Sequence, residues 1–416
     1  MKRLFAPCLA LLLISCFSQV HAKTSPTRMQ TEHAFVRWIN GPLWQKASTR
    51  NISKTVFKSA FQSVKLNWSL PDLRPPGQSR RAHKPSRQSE FRAPGAYFKR
   101  RHMAYNIKKG RTKMKKWRRT LDKIERHYGV PREIIISIWG KETAFGAAKL
   151  PYRAVEVLAT QAFMGRRKAL FEKELLAALT IIQQKHISAL KMKSAWAGAL
   201  GHPQFMPTAF LKYAVDFDGD GHKNIWTSVP DALASIAHFL QQNGWDQNQH
   251  WGREIRLPAN ISCTLEGPDQ NIRRAQWQQK GVTRIDGASL GARNGNKKGF
   301  LLLPAGRHGP TFLVSKNFYV LKTYNESDAY ALFIGHVADR MRGMAPFKLR
   351  WKRLSSFSRR LVKRAQLKLE ESGADVGGAD GLIGYKTRIS IGRWQHKNGR
   401  KVSCFPSRNE LARISN

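Results

Sequence analysis

Apolar residues return every three or four positions between Trp117 and Phe239: Leu121, Ile124 and Tyr128, then Leu170, Leu175, Leu176, Leu179 and Ile182. That spacing is the signature of helices turning one face to a core. A chain of 416 residues can build two to three domains, and this pattern predicts a mainly α architecture. Pro131 suits a first helical position and Gly146 a C-terminal cap, which predicts a helix over 131–145. Further helices are predicted over 231–242 and 330–341. From Gly252 to Tyr319 turn residues prevail, and Phe300–Pro304 and Thr311–Val314 read as short extended pieces.

Charge narrows the partners. Seventy-three basic against 27 acidic side chains give +46, while 41% hydrophobic content and twelve Trp exclude a mainly disordered chain. Such a balance suits nucleic acid, an anionic membrane or an anionic wall polymer. Met1-Lys2-Arg3, an apolar run to Ile14 and the small-residue end Val20-His21-Ala22 have the layout of a secretory signal over 1–22. Export to the periplasm excludes nucleic acid as partner and leaves the wall polymer or the envelope lipid. Cleavage after Ala22 would release the protein. Leu13-Ile14-Ser15-Cys16 also fits a lipobox, which would leave a lipid anchor at Cys16 and an outer-membrane lipoprotein. After the signal, Cys263 and Cys404 remain, either as one disulfide or as two separate buried thiols. No later stretch is apolar for long enough to span a membrane.

Three segments follow the signal. Residues 23–347 form the main region. Within it, 74–119 carries Glu90 as its sole acid and several Pro and Gly, which predicts a solvated, partly irregular wrap or an electrostatic attachment surface. Residues 348–360 read as a basic linker, and 361–416 as a separate small unit.

Glu142 is the residue with the most chemical content. On a helix it shares a face with Ile138, Trp139 and Phe145 and lies in the last turn, near the negative end of the dipole. Both surroundings favour the protonated carboxyl, which suits a group that donates a proton near neutral pH. The alternative is a structural glutamate paired with one of the many cations.

Trp139-Gly140-Lys141-Glu142-Thr143-Ala144-Phe145-Gly146 resembles the catalytic-glutamate segment of the membrane-bound lytic murein transglycosylase B family. The resemblance continues through Ala195–Pro207, Tyr213–Gly221, Gly244-Trp245 and Tyr324-Asn325, and covers roughly residues 33 to 345 in one order. It implies a lysozyme-like helical domain with small irregular or β elements. It also implies cleavage of the β-1,4 bond between N-acetylmuramic acid and N-acetylglucosamine of peptidoglycan glycan strands, without water, by a monomer that needs no cofactor. Glu142 is implied to act as acid and then as base. Gln204 and Phe205 of the Gln-Phe-Met-Pro segment, with Tyr324, Asn325 and Tyr330, are implied to line the sugar cleft. Where the family has Ser, this chain has Ala195, with Ser194 one residue earlier as the nearest hydroxyl. A hydrolysing muramidase and a noncatalytic wall-binding scaffold are the competing readings.

Asp216, Asp218 and Asp220, followed by Gly221 and His222, have the first ligands and the glycine of a Ca²⁺ loop, but Thr227 stands where a bidentate Glu would close it. The resemblance offers Asp231 as the closing ligand of a structural Ca²⁺ site; an unmetallated Asp-Gly turn is the alternative. The tail, with Asp380-Gly381, Gly384, Thr387 and flanking glutamines, resembles a small three-helix peptidoglycan-binding domain.

Overall fold

A computed structural model describes residues 26–76, 94–291, 295–352 and 357–416. The signal segment, with Cys8 and Cys16, and residues 77–93 of the basic segment lie outside the described residues. Helices dominate, as the periodicity predicts. Among the described residues no helix is long and apolar enough to cross a membrane.

The chain opens with α1 (Arg28–Trp38), α2 (Trp44–Ser48) and α3 (Lys54–Phe61). Then come α4 (Arg100–Lys116), α5 (Arg118–Tyr128) and α6 (Arg132–Thr143). The pair β1 (Tyr152–Arg153) and β2 (Lys193–Ser194) brackets α7 (Ala154–Met164) and α8 (Lys168–Gln183), and α9 (Pro207–Tyr213) and α10 (Val229–Gln242) follow.

α6 is the pivot. Ile134, Ile135, Ile136, Ile138 and Trp139 are all buried, so apolar side chains surround the helix on every side. Isoleucine is a middling helix former; tertiary packing against α4, α10 and α13 (Asp328–Met341) decides the conformation. One core surrounds α6, and a second joins α1–α3 to α7, α8 and α9. Phe239 and Tyr324 pack against both, so the seam between the cores runs past them.

The basic segment differs from the irregular wrap expected of it. Arg100–Lys116 is a 17-residue helix. The prolines stop at Pro94, and Met103, Asn106 and Gly110 recur on one buried face against α6 and α13. Lys108, Lys109, Lys115 and Lys116 are exposed, whereas Lys113 lies over the Trp139 ring and Arg111 bonds to carbonyls of α13.

Residues 252–314 form a small sheet in the order β4 (Thr283–Arg284), β3 (Gly252–Arg256), β7 (Phe312–Val314), β5 (Phe300–Leu302). All pairings are antiparallel, with Gly252 opposite Val314 and Phe300 opposite the same residue. α11 (Arg274–Gln279) and β6 (Pro304–Arg307) complete this region, and α12 (Lys316–Asn325) leads back to α13.

The tail folds as α14 (Arg359–Glu371), α15 (Tyr385–Lys397) and α16 (Arg408–Ser415) around a core of its own that includes Val362, Leu369, Ile391 and Leu411, and it is tied to the sheet region. Cys404 is bonded to Cys263 of the sheet region, so the two cysteines are a pair and not separate thiols. Arg388 donates twice to the carboxylate of Glu266, at 2.9 and 2.7 Å, both side chains being buried. Tyr385 donates to Asp269 at 2.9 Å. The first residues of the expected linker are likewise docked: the Trp351 ring stacks on Phe98, and the amides of Lys348 and Leu349 donate to Glu254.

Candidate active site

Glu142 sits in the last turn of α6 and is brought to its place by an abrupt stop. Ala144, Phe145 and Gly146 all have positive φ (49°, 62° and 82°), so the chain doubles back at once. Two consecutive non-glycine residues in that region cost about 1–2 kcal/mol each. The turn drives Phe145 back under the helix, where a Cβ on Gly140 would lie 2.5 Å from its ring. Glycine is required there by that close approach. The predicted helix end was thus nearly right, but the left-handed cap is Ala144 and not Gly146 alone.

Apolar neighbours strip water from the carboxyl. Burial raises its pKa to about 7, against smaller opposing effects from the hydrogen bond of Tyr330 and the charge of Lys141. The Tyr330 hydroxyl donates to Oε1 of Glu142 at 2.6 Å. Burial and the charge of Glu142 hold the hydroxyls of Tyr330 and Tyr324 well above the usual tyrosine range, so both stay neutral donors. Tyr330 is placed by the start of α13, where the Ser327 side chain caps its amide.

A loop from Ala195 to Phe205 closes the other side. Thr143, next to Glu142, donates to the carbonyl of His202 at 3.1 Å, and the His202 ring stacks on Trp139. Tyr324 donates to the carbonyl of Pro203 at 2.8 Å and stacks on Tyr330, with rings 6.2 Å apart. The loop is therefore clamped between the end of α6 and the end of α12. It presents Gln204 in a left-handed conformation (φ 56°), its amide donating to the carbonyl of Gly201. The Lys141 ammonium lies 4.3 Å from the Tyr97 ring and 5.1 Å from that of Phe333. Two aromatics near these elements stay open to solvent: Tyr105, 6.3 Å from Phe145, and Trp196.

The structure thus gathers Glu142, Tyr330, Tyr324 and the Gln204 loop. Three expected cleft residues take other positions. Phe205 is 3% exposed and packs on Phe239 and Tyr324, because its backbone pairs with Leu200 and turns the ring inward. Ser194 is fully buried on β2, opposite Tyr152, so its hydroxyl cannot meet a substrate or replace the one missing at Ala195. Asn325 is exposed at the end of α12 and lines a separate cavity with Tyr385 and Arg388 of the tail. His202, Thr143, Lys141 and Tyr97 were not foreseen as parts of the site; Thr143 and Lys141 flank Glu142 in sequence, whereas only the fold reveals Tyr97.

In the aspartate loop, Asp216, Asp218 and Asp231 bring carboxylate oxygens within 4.8 Å of one another. Asp231 is buried and accepts from the amides of Phe217, Asp218 and Asn224. Burial raises its pKa despite those three bonds, and the charge of Asp218 adds to the effect. Convergent carboxylates with one disfavoured charge are a donor set that fits a hard divalent cation. Asp220 and His222 fall outside the cluster: Asp220 accepts from the His222 backbone amide in a local turn.

Residues 34–339 match the Transglycosylase SLT domain family. The chain is 31% identical over 234 residues to membrane-bound lytic murein transglycosylase B of Escherichia coli (strain K12), covering 55% of this chain and 62% of that protein. It therefore spans less than two thirds of that relative's length. Among solved structures it is similar to SltB3 of Pseudomonas aeruginosa in complex with NAG-anhNAM-pentapeptide, with 32% identity and a TM-score of 0.80 over 92% of this chain and 99% of that one. It is also similar to soluble lytic transglycosylase SltB1 of Pseudomonas aeruginosa, with 28% identity and a TM-score of 0.60 over 74% and 99% of the two chains. With well over half its length matched, the chain belongs to the Transglycosylase SLT domain family.

Proposed function

We propose that this protein is an exported lytic transglycosylase that cleaves the β-1,4 bond between N-acetylmuramic acid and N-acetylglucosamine without water. The observation that carries this reading is the carboxyl of Glu142, raised to about 7 and held by Tyr330. Near neutral pH such a group exists in both forms and can serve as acid and base in turn. Protonated, Glu142 gives its proton to the glycosidic oxygen as the C1–O bond breaks. Ionised, it takes the proton of the muramic C6 hydroxyl while O6 bonds to C1, closing a 1,6-anhydro ring. The enzyme returns to its starting state with no water consumed.

A hydrolase with two carboxylates would keep them about 5–9.5 Å apart. The SltB3 complex with an anhydro muropeptide supports the anhydro route over a hydrolysing muramidase. Gln204, on the loop beside Glu142, is assigned to a sugar hydroxyl or acetamide. The three-helix tail is assigned to wall attachment, and Asp216, Asp218 and Asp231 to a structural Ca²⁺. The protein works in the periplasm as a monomer, either free after cleavage at Ala22 or anchored at Cys16.

Clearing of purified sacculi tests the reading. Wild type lowers the turbidity, and Glu142→Gln, folded and still sedimenting with sacculi, does not. Lysis by that variant would remove Glu142 from the mechanism.

A further inference from the structure

A cavity of about 510 Å³ lies at the other end of α6, lined by Pro131 and Ile134. It is about 12–16 Å along the helix axis from Glu142. Four arginines line it, Arg253 on β3, Arg274 on α11, Arg284 on β4 and Arg342 after α13, against one acidic residue, Asp339. That carboxylate is committed: His250 contacts it at 2.7 Å and the Trp251 indole donates to it at 3.1 Å. Arg284 and Arg342 are paired outside the cavity with Asp286 and Glu133. Arg253 and Arg274 have no carboxylate at ion-pair distance among the described residues. Arg253 reaches the sulfur of Met344, and Arg274 reaches the carbonyl of Leu290.

Two buried donors in this lining have no acceptor, Nε of Arg274 and the indole Nε1 of Trp245. Such N–H groups are costly to leave without an acceptor. Burial lowers the pKa of both Arg253 and Arg274; the charge of Asp339 offsets part of this at Arg253, and the charge of Arg253 adds to it at Arg274. Crowded cations and spare N–H donors share one remedy, an oxygen-bearing anion.

We propose that this cavity is a binding site for a small oxyanion, the carboxylate of a wall stem peptide, held by Arg253, Arg274 and the indole N–H of Trp245. The oxyanion chemistry stands on the cavity alone; the peptide as its source rests on the proposed action on peptidoglycan. A carboxylate seated here would fix a second strand or peptide at a distance from the cleavage site, adding a tether to the one the tail provides.

Calorimetric titration of the full chain with a free stem pentapeptide lacking sugar, and separately with inorganic phosphate, tests this. The expected result is saturable peptide binding, displaced by phosphate, weakened about tenfold or more in Arg253→Gln and Arg274→Gln. Arg274→Lys, which keeps the charge but loses the fork, should fall between. Thermal melts confirm that each variant is folded. Arg-dependent binding of phosphate with no peptide binding would overturn the peptide assignment while keeping the oxyanion site. Binding of neither, or binding indifferent to both substitutions, would overturn the site. Glu142→Gln should bind the peptide as wild type does, so loss of lysis and loss of this site are read separately.

Discussion

The hydroxyl of Tyr330 and the carboxyl of Glu142 meet at 2.6 Å although 188 residues separate them in the chain. The bond favours the ionised carboxylate and so works against the burial that raises it. Tyr330→Phe therefore moves the Glu142 pKa upward from about 7, by about one unit or more. The alkaline limb of the pH–rate profile should shift up with it, and the rate at the optimum should fall about tenfold as the carboxyl loses its orientation. A profile unchanged in position would deny Tyr330 this role.

The same raised pKa has a cost in stability. Folded, Glu142 keeps a proton that the unfolded chain releases near 4.5, so between about 4.5 and 7 the native state binds more protons. Stability falls as pH rises through that window and is flat above it. Glu142→Gln should match wild type near pH 4 and exceed it at pH 8 by on the order of 3 kcal/mol, measured by urea unfolding. Equal stability at both pH values would mean that the carboxyl is not displaced.

The tail is held by buried charge and by a covalent bond. Arg388→Met would leave Glu266 ionisable, buried and short of its partner, and should cost about 3–5 kcal/mol in unfolding free energy. Cys263 and Cys404 close a loop of 141 residues, a link whose removal costs roughly 4–5 kcal/mol in the chain-entropy account. A thermal melt in reductant should fall well below one without it; superimposable curves would contradict the pairing.

Millimolar Ca²⁺ should raise the melting temperature of wild type, and this rise should vanish in Asp218→Asn, whose side chain is exposed. Mg²⁺, smaller and reluctant to shed water, should do less. A wild-type melt indifferent to Ca²⁺ would leave the loop as an Asp-Gly turn.

How much of this was legible follows from distance along the chain. α6, α10 and α13 announce themselves because their apolar period is local, and the company of Glu142 follows from three and four residues on either side. The resemblance carried Tyr330 and Gln204, but nothing in composition could say that Tyr330 bonds to Glu142 itself. Ser194 looked available because a hydroxyl beside Ala195 was expected; β pairing with Tyr152 buries it. Arg100–Lys116 was hidden by its charge, since a helix bearing few apolar residues shows little period until its partners are known. Glu266 with Arg388, and Cys263 with Cys404, are contacts over more than a hundred residues that only the folded chain reveals.

Mass spectrometry of wall digests tests the central claim most directly. Wild type should release muropeptides that all end in 1,6-anhydromuramic acid, 18 mass units below their hydrated counterparts (about the mass of one water), and Glu142→Gln should release none. Reducing muramic ends from the wild-type digest would contradict the account.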